Sequence, residues 1–536
     1  MAALDPYTGV LGLRLAKHLL RRCTFQIDKT TIDQFALMTA DAAVDQLMTF
    51  PGYKYPEGPR DPNGFAWLTA TPAVYDDYGF DAGFKAQQAI EGWIAQELYH
   101  NPSAEGKVAI WLHTCFIASN IGNWEPFEYW RLMFWGTRNN LQSLAYKVTL
   151  DRMMLRYLNN DQNRKNSPNE NYAREFLELF TIRRGPQIGP GNYTNYTEYD
   201  IQQAAKVLTG FTAYNSNFAT KDPETGLAQG HARHNQHDLS DKTFSSAFGG
   251  QTITGATSEA DNYRELNDFV TMVFNEQETA RSFVRRAYRF FVSDLINPTV
   301  ESEVIQPLAI QLYNSGYQVK PMLSTLLKSQ WFFDQNDGNP DDEVIGGKLK
   351  SDIDMRLQVM SFFKIPEAAT VSPTNQPEDF YRQLWRRIGT ESIMHPASVE
   401  GYPGFYKEPS YSKFWFTSSS IVRRYSMLKD ALNGRASQRI DQYGAEIDIV
   451  GFVQSNFTDQ DDAQKVVQQA VDYLLPETLS TDRFTYFYDL FLGSLSPINW
   501  MFEWQGYLNG GDAAPVRNPL RRLFDALGSS PEYQVL

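Results

Sequence analysis

The chain has 536 residues, 42% hydrophobic and 21% charged, enough for a large buried core in a globular protein. A formal net charge of −14 and a pI near 5.1 exclude a general nucleic-acid or anionic-membrane binder, since such proteins are usually basic. Two cysteines, Cys23 and Cys115, allow one bridge at most, and no uninterrupted run of ~18 apolar residues is available to span a bilayer.

Taken in chain order, helical periodicity dominates. Residues 31–49 read as an amphipathic helix with Phe35, Met38, Ala42, Val44 and Leu47 facing inward. The same spacing predicts helices over 86–99, 108–120, 127–135 and 141–159. The stretch 167–185, SPNENYAREFLELFTIRRG, carries helix punctuation at both ends. Ser167 is placed to cap, Pro168 to take the first helical position, and Glu170 to close a capping box. Tyr172, Phe176, Leu179 and Phe180 form its apolar stripe, Glu170, Arg174 and Glu178 a ladder of charges, and Gly185 the left-handed stop. Further helices are predicted over 198–210, 262–274, 279–292, 302–315, 321–328, 349–363, 377–388, 419–432, 461–474 and 482–492. Strand signals are few. The polar stretch 213–257 offers one short strand at 251–254, in a hairpin, and the Pro, Gly and Asn clusters at 50–65, 185–196 and 394–412 read as long loops. The fold class is therefore mainly α, a large multi-helix domain with long loops and at most a small β-hairpin. Aromatic residues make up 14% of the chain, and a large aromatic core is their default use.

Several motifs point beyond fold class. NENYAREFLELFT at 169–181 resembles the signature of the bacterial domain of unknown function 1800 family. LLRRCTF at 19–25 and MMLRYL at 153–158 are similar to the family's opening and pre-signature segments. Tyr193, Thr194, Asp200 and Ile201, then Leu208, Thr209, Gly210 and Phe211, follow its YT, D-V and ALTGW pattern. His237, Asp238, Lys242, Thr243 and Phe244 follow its HD…KTF element. Gly316, Tyr317, Ser329–Phe333, Val399, Gly401, Tyr402, Arg423 and the closing Ser530–Gln534 complete a resemblance that runs nearly end to end. It implies a single family unit over 1–536, with helical subdomains. It also implies family signature residues Asn169, Glu170, Asn171, Arg174, Glu175 and Glu178. Family members often look exported, and a sulfatase-like partner protein often accompanies them. The LLRR segment begins too early here for a leader ahead of it. A cytoplasmic protein, export by another signal, and numbering from behind the leader all remain open.

Candidate chemistry rests on few residues. His113 and Cys115, in WLHTCF, are both residue types that bind zinc, but two positions apart on a helix they point about 200° from each other. The plainer reading of His113 is a hydrogen-bonded core histidine. His231, His234 and His237 recur every third residue with Asp238 beside them, which suits a transition metal or an oriented general base. The first two read better as a solvated loop. Glu175 adds a carboxylate, so His113, His237, Asp238 and Glu175 form the candidate set for a divalent metal ion. A salt-bridge ladder with Arg174 explains the signature carboxylates more simply. The Asn-rich loop 159–169 has oxygen ligands for calcium without EF-hand order, and Thr417–Ser420 reads as a helix cap. Phosphate-loop, dinucleotide-binding, HExxH, CxxC and GxSxG templates are missing. Two functions follow as expectations: a binding or scaffold protein of the cell envelope, and a metal-dependent enzyme. A carbohydrate binder using Trp and Tyr platforms is a third.

Overall fold

The computed structural model describes residues 3–58, 82–119, 125–213, 220–334, 344–365, 394–432 and 447–536, with backbone alone over 82–89. The helix expected over 377–388 and part of the loop expected over 50–65 lie outside them. The chain is mainly α, as its periodicity requires. Strands among the described residues make three two-stranded antiparallel sheets: Gln187–Gly189 with Asn192–Tyr193, Phe211–Thr212 with His231–Ala232, and Lys242–Thr243 with Thr252–Ile253. The last is the hairpin expected near 251–254.

Local side-chain chemistry cuts the longer predicted helices. The 31–49 pattern divides into Lys29–Ala36 and Ala40–Leu47, because the Thr39 hydroxyl accepts the Ala42 amide and starts a new helix. Ala43, not Ala42, then faces the core. Asp151 likewise ends Leu141–Leu150 and caps Arg152–Tyr157 through the Met153 and Met154 amides.

The signature segment departs most from its reading. Ser167 caps no helix; its amide turns back to the Arg164 carbonyl (2.9 Å), and Pro168 and Glu170 take no part in a capping box. The Asn163 side chain takes the Asn169 amide (2.8 Å) and holds this stretch as a turn. The helix begins at Asn171–Glu175, with Asn169 Oδ1 accepting the Asn171 amide (2.9 Å). It then widens into a π turn over Phe176–Phe180, closed by the Thr181 amide on the Phe176 carbonyl (3.0 Å). Tyr172, Phe176 and Phe180 of the expected stripe are buried, while Leu179 is only half-buried. Beyond the turn, Arg183 and Gly185 both take left-handed backbone, with φ of 68° and 67°.

One apolar cluster runs from Leu11 to Tyr533, and a small second one joins Ile117, Tyr402 and Trp415. The chain's two ends meet. From the Gly12–Cys23 helix, Arg21 donates to the Tyr473 and Leu474 carbonyls (2.8 and 2.9 Å) and Lys17 to Leu475 (2.6 Å), satisfying the C-terminal turn of Ala463–Leu474. Cations belong at such an end, where carbonyls are unpaired and the helix dipole is negative. That gives the LLRR segment a structural reason. Burial, with Arg21 close by, still pulls Lys17 down to about 7.

Candidate functional site

The histidine, aspartate and lysine of the HD…KTF element enter a closed interlock. His237, Lys242 and Glu265 are all fully buried. His237 Nδ1 lies 2.7 Å from the Thr209 carbonyl, which only accepts, so this nitrogen carries a hydrogen. Its Nε2 lies 3.2 Å from Glu265 Oε2, and Lys242 Nζ donates to the same oxygen at 2.6 Å. The Asp238 amide donates to Thr209 Oγ1 (2.8 Å), while the Asp238 carboxylate accepts from the Ser240 amide (2.9 Å). At Gly210, φ is +81° and an added Cβ would sit 2.9 Å from the Arg233 carbonyl, so the LTGF and HD segments meet where only glycine fits. These two motifs lock a loop layer onto the Glu259–Phe274 helix.

The signature residues are mostly latches. Asn171 Nδ2 donates to the Leu158 carbonyl (3.1 Å). Arg174 holds both Glu170 (3.2 Å) and Glu198, not Glu175. Glu178 turns to Arg184 and to the Tyr196 hydroxyl (3.2 Å). Asn163, Asn169 and Asn171 bind backbone groups in the Asn-rich loop, the turn role of such residues. Glu175 is half-buried, and burial together with the nearby Glu400 raises its pKa against the pull of Arg174. Thr417 and Ser420 cap the helix that follows them, each hydroxyl accepting the other's amide (3.0 and 2.8 Å).

His113 sits elsewhere, stacked on Trp130 (centroids 4.7 Å apart, planes at 18°) and 6.1 Å from the rings of Tyr129 and Tyr402. Neither ring nitrogen has a hydrogen-bond partner among the described residues. The Ala118 backbone favours the protonated ring without reaching hydrogen-bonding geometry, and burial prevails, pushing the pKa down to about 4. His113 and His237 therefore have separate surroundings. Among the described residues no three of His, Cys, Asp and Glu come together as a group able to hold a metal ion. Cys23 and Cys115 are both buried and free, and burial pushes the Cys23 thiol up to about 12.

Distant motifs converge at a different place. A crevice of about 30 Å³ lies where Cys115, the π turn, the Gln277–Phe291 helix and the Val399–Tyr402 segment meet. That volume takes one or two water-sized groups. Arg183, Arg286 and Arg289 line it, with Phe290, Tyr402 and Phe405 as aromatic walls and Glu400 at its exposed edge. Arg286 is committed to structure. Its guanidinium donates to the Phe180 carbonyl (2.9 Å) and to those of Cys115 and Leu179 (both 3.3 Å), closing the ends of two helices. Burial lowers it to about 10. Arg183 and Arg289 are freer. Burial and the Arg289 charge both lower the Arg183 pKa, and its best contact is the Leu179 carbonyl at 3.4 Å. Arg289 leans on the Tyr411 ring (4.8 Å) and approaches exposed Glu408 only to 3.8 Å, and its buried Nε has no partner among the described residues.

Arg286 and Arg289 were legible only as charges on an amphipathic helix. Their three-residue spacing puts them on one side, while Arg285 turns to Glu278 and Glu301. Among the described residues no helix is long and apolar enough to cross a membrane. Comparisons with curated proteins and with solved structures each find no match. The family model described as Protein of unknown function (DUF1800) matches residues 18–535, and with the signature, LTGF and HD…KTF elements interlocked as described, this chain belongs to that family.

Proposed function

We propose that the protein is a binding protein whose crevice receives the anionic end of a ligand, a carboxylate or another oxyanion. The observation that carries this reading is the pair Arg183 and Arg289: half-buried, mutually repelling, and facing one small crevice where the nearby carboxylates, Glu400 at the exposed edge and Glu408 3.8 Å from Arg289, make no hydrogen bond to either guanidinium among the described residues. A guanidinium is always charged and matches oxyanions with paired donors, so an incoming anion relieves the repulsion and gains hydrogen bonds. Left-handed backbone at Arg183, a non-glycine residue, is strain of the kind that gathers at binding sites. Tyr402, Phe405 and Tyr406 give the rest of a ligand an aromatic surface, which also suits an acidic saccharide.

Isothermal titration with acetate, phosphate and sulfate tests this. The expected result is saturable binding of at least one of them, weakened about tenfold or more in Arg289→Met, the loss of one charge-assisted contact. No saturable heat from any of the three, or equal affinity in the variant, rejects the reading.

A location at the cell envelope and a sulfatase-like partner belong to the same proposal and rest on the family resemblance; co-purification from the native host tests the partner. The alternative, a metal-dependent enzyme, would need His113, His237, Asp238 and Glu175 to meet. Mass-spectrometric metal analysis of protein purified without a histidine tag is expected to find no stoichiometric ion, and one that disappears in His237→Ala would restore the enzyme reading.

A further inference from the structure

Behind the arginine crevice, across the shared walls Phe290 and Phe405, lies a second and smaller pocket of about 20 Å³. Arg22, Lys107, Lys348, Asp354 and Trp415 line it. Its polar groups are mostly donors. Arg22 is fully buried; its Nη2 donates to the Val344 carbonyl (2.7 Å), but Nε and Nη1 have no partner among the described residues. The Trp415 indole N–H is also buried without one. Asp354, the acceptor on that wall, has both oxygens engaged, Oδ1 by Lys107 and Oδ2 by the Ser351 amide and hydroxyl (3.1 and 2.7 Å). A group in such a pocket has unpaired donors to accept from, and the Asp354 oxygens are already taken.

Arg22, Lys107 and Lys348 bring cations to the pocket wall, where Lys107 is paired with Asp354 and Lys348 lies 3.7 Å from Asp294. The volume admits about one water-sized sphere. We propose that this inner pocket holds a single halide-sized inorganic anion, chloride in practice, bound by Arg22 and the Trp415 N–H with Lys348 supplying charge. The site is separate from the outer crevice, since neither Arg22 nor Trp415 lines that one.

Chloride-35 NMR on the full chain tests it. The expected result is line broadening that saturates with protein, is competed by bromide and not by gluconate, and is unchanged in Arg289→Met. Trp415→Phe keeps the ring and removes the donor, and is expected to weaken chloride about tenfold. Asp294→Asn removes an opposing charge while still accepting from Ser412, and is expected to tighten it. If Trp415→Phe fails to fold, the wild-type and Asp294→Asn titrations decide alone. No saturable broadening in the wild-type chain means that water fills the pocket and overturns the proposal. Equal broadening in Trp415→Phe, or loss of the signal in Arg289→Met, places the halide elsewhere and overturns it too.

Discussion

Replacing Lys242 with methionine is expected to destabilise the protein by about 3–5 kcal/mol, the range for stripping one partner from a buried ion pair. Lys242 and Glu265 are both fully buried, 2.6 Å apart, and the same Glu265 oxygen faces His237. Glu265 Oε1 has no partner among the described residues, so the carboxylate depends on Oε2 for its compensation. Without the lysine a carboxylate charge stays in the core stripped of the cation 2.6 Å away. Adding Glu265→Gln to Lys242→Met removes that charge, and the double variant is expected to recover a large part of the loss, because contacting residues are not additive. Urea unfolding of the two single variants and the double measures this. A single-variant loss below about 1 kcal/mol, or a double variant worse than both singles, would show that the pair does not hold this layer.

The interlock also explains why a familiar pattern of His, Asp and Lys invites a catalytic reading. From sequence, His237 and Asp238 looked like the best functional pair because they travel together with Lys242 and Phe244. What periodicity cannot carry is the partner: Glu265 lies in another helix, and Thr209 comes from the LTGF segment. Helix existence and the apolar faces were legible because 3.6-residue spacing is local information. Helix boundaries at Thr39, Asp151 and Asn169 were not, since a single side chain choosing a backbone amide decides each. Pro497–Leu508 escaped notice for another reason. Ile498 and Phe502 are 63% and 64% exposed while Trp500 and Trp504 are buried, so apolar residues surround this helix and leave no stripe. Ala514–Gly528 was hidden by Pro515 and Pro519.

The crevice was the least legible feature. Arg183 reads locally as a helix-ending cation, and Arg286 and Arg289 as solvent-side charges of an amphipathic helix. Only the π turn, which ends the signature helix against Cys115 and Arg286, turns these separate roles into one site. The half-buried Arg286 guanidinium is held by four backbone carbonyls, those of Ser282, Cys115, Leu179 and Phe180, and so stays in place without a carboxylate.

Acidification is expected to expose His113. Burial pushes its folded pKa down to about 4, against the ordinary histidine value of 6.5. Between those values the unfolded chain binds a proton that the folded chain does not, so stability rises with pH across this window. The contribution is full above pH 6.5 and is lost as pH falls through 4, a span of about 3 kcal/mol for a shift of this size. His18, also fully buried with a lowered pKa, acts in the same direction, whereas Asp151, raised to about 7 by burial, acts in the opposite one. The informative quantity is therefore a difference. His113→Leu keeps an apolar group against Trp130 and leaves His18 and Asp151 unchanged, so subtracting its profile isolates His113. At pH 7.5 the variant is expected to be nearly as stable as the parent, since both ring nitrogens lack partners among the described residues. At pH 4 it is expected to be the more stable of the two. Urea midpoints from pH 4 to 7.5 decide the matter. Parallel profiles would mean that His113 titrates alike in both states, and a large loss at pH 7.5 would mean that its nitrogens have a partner and a task.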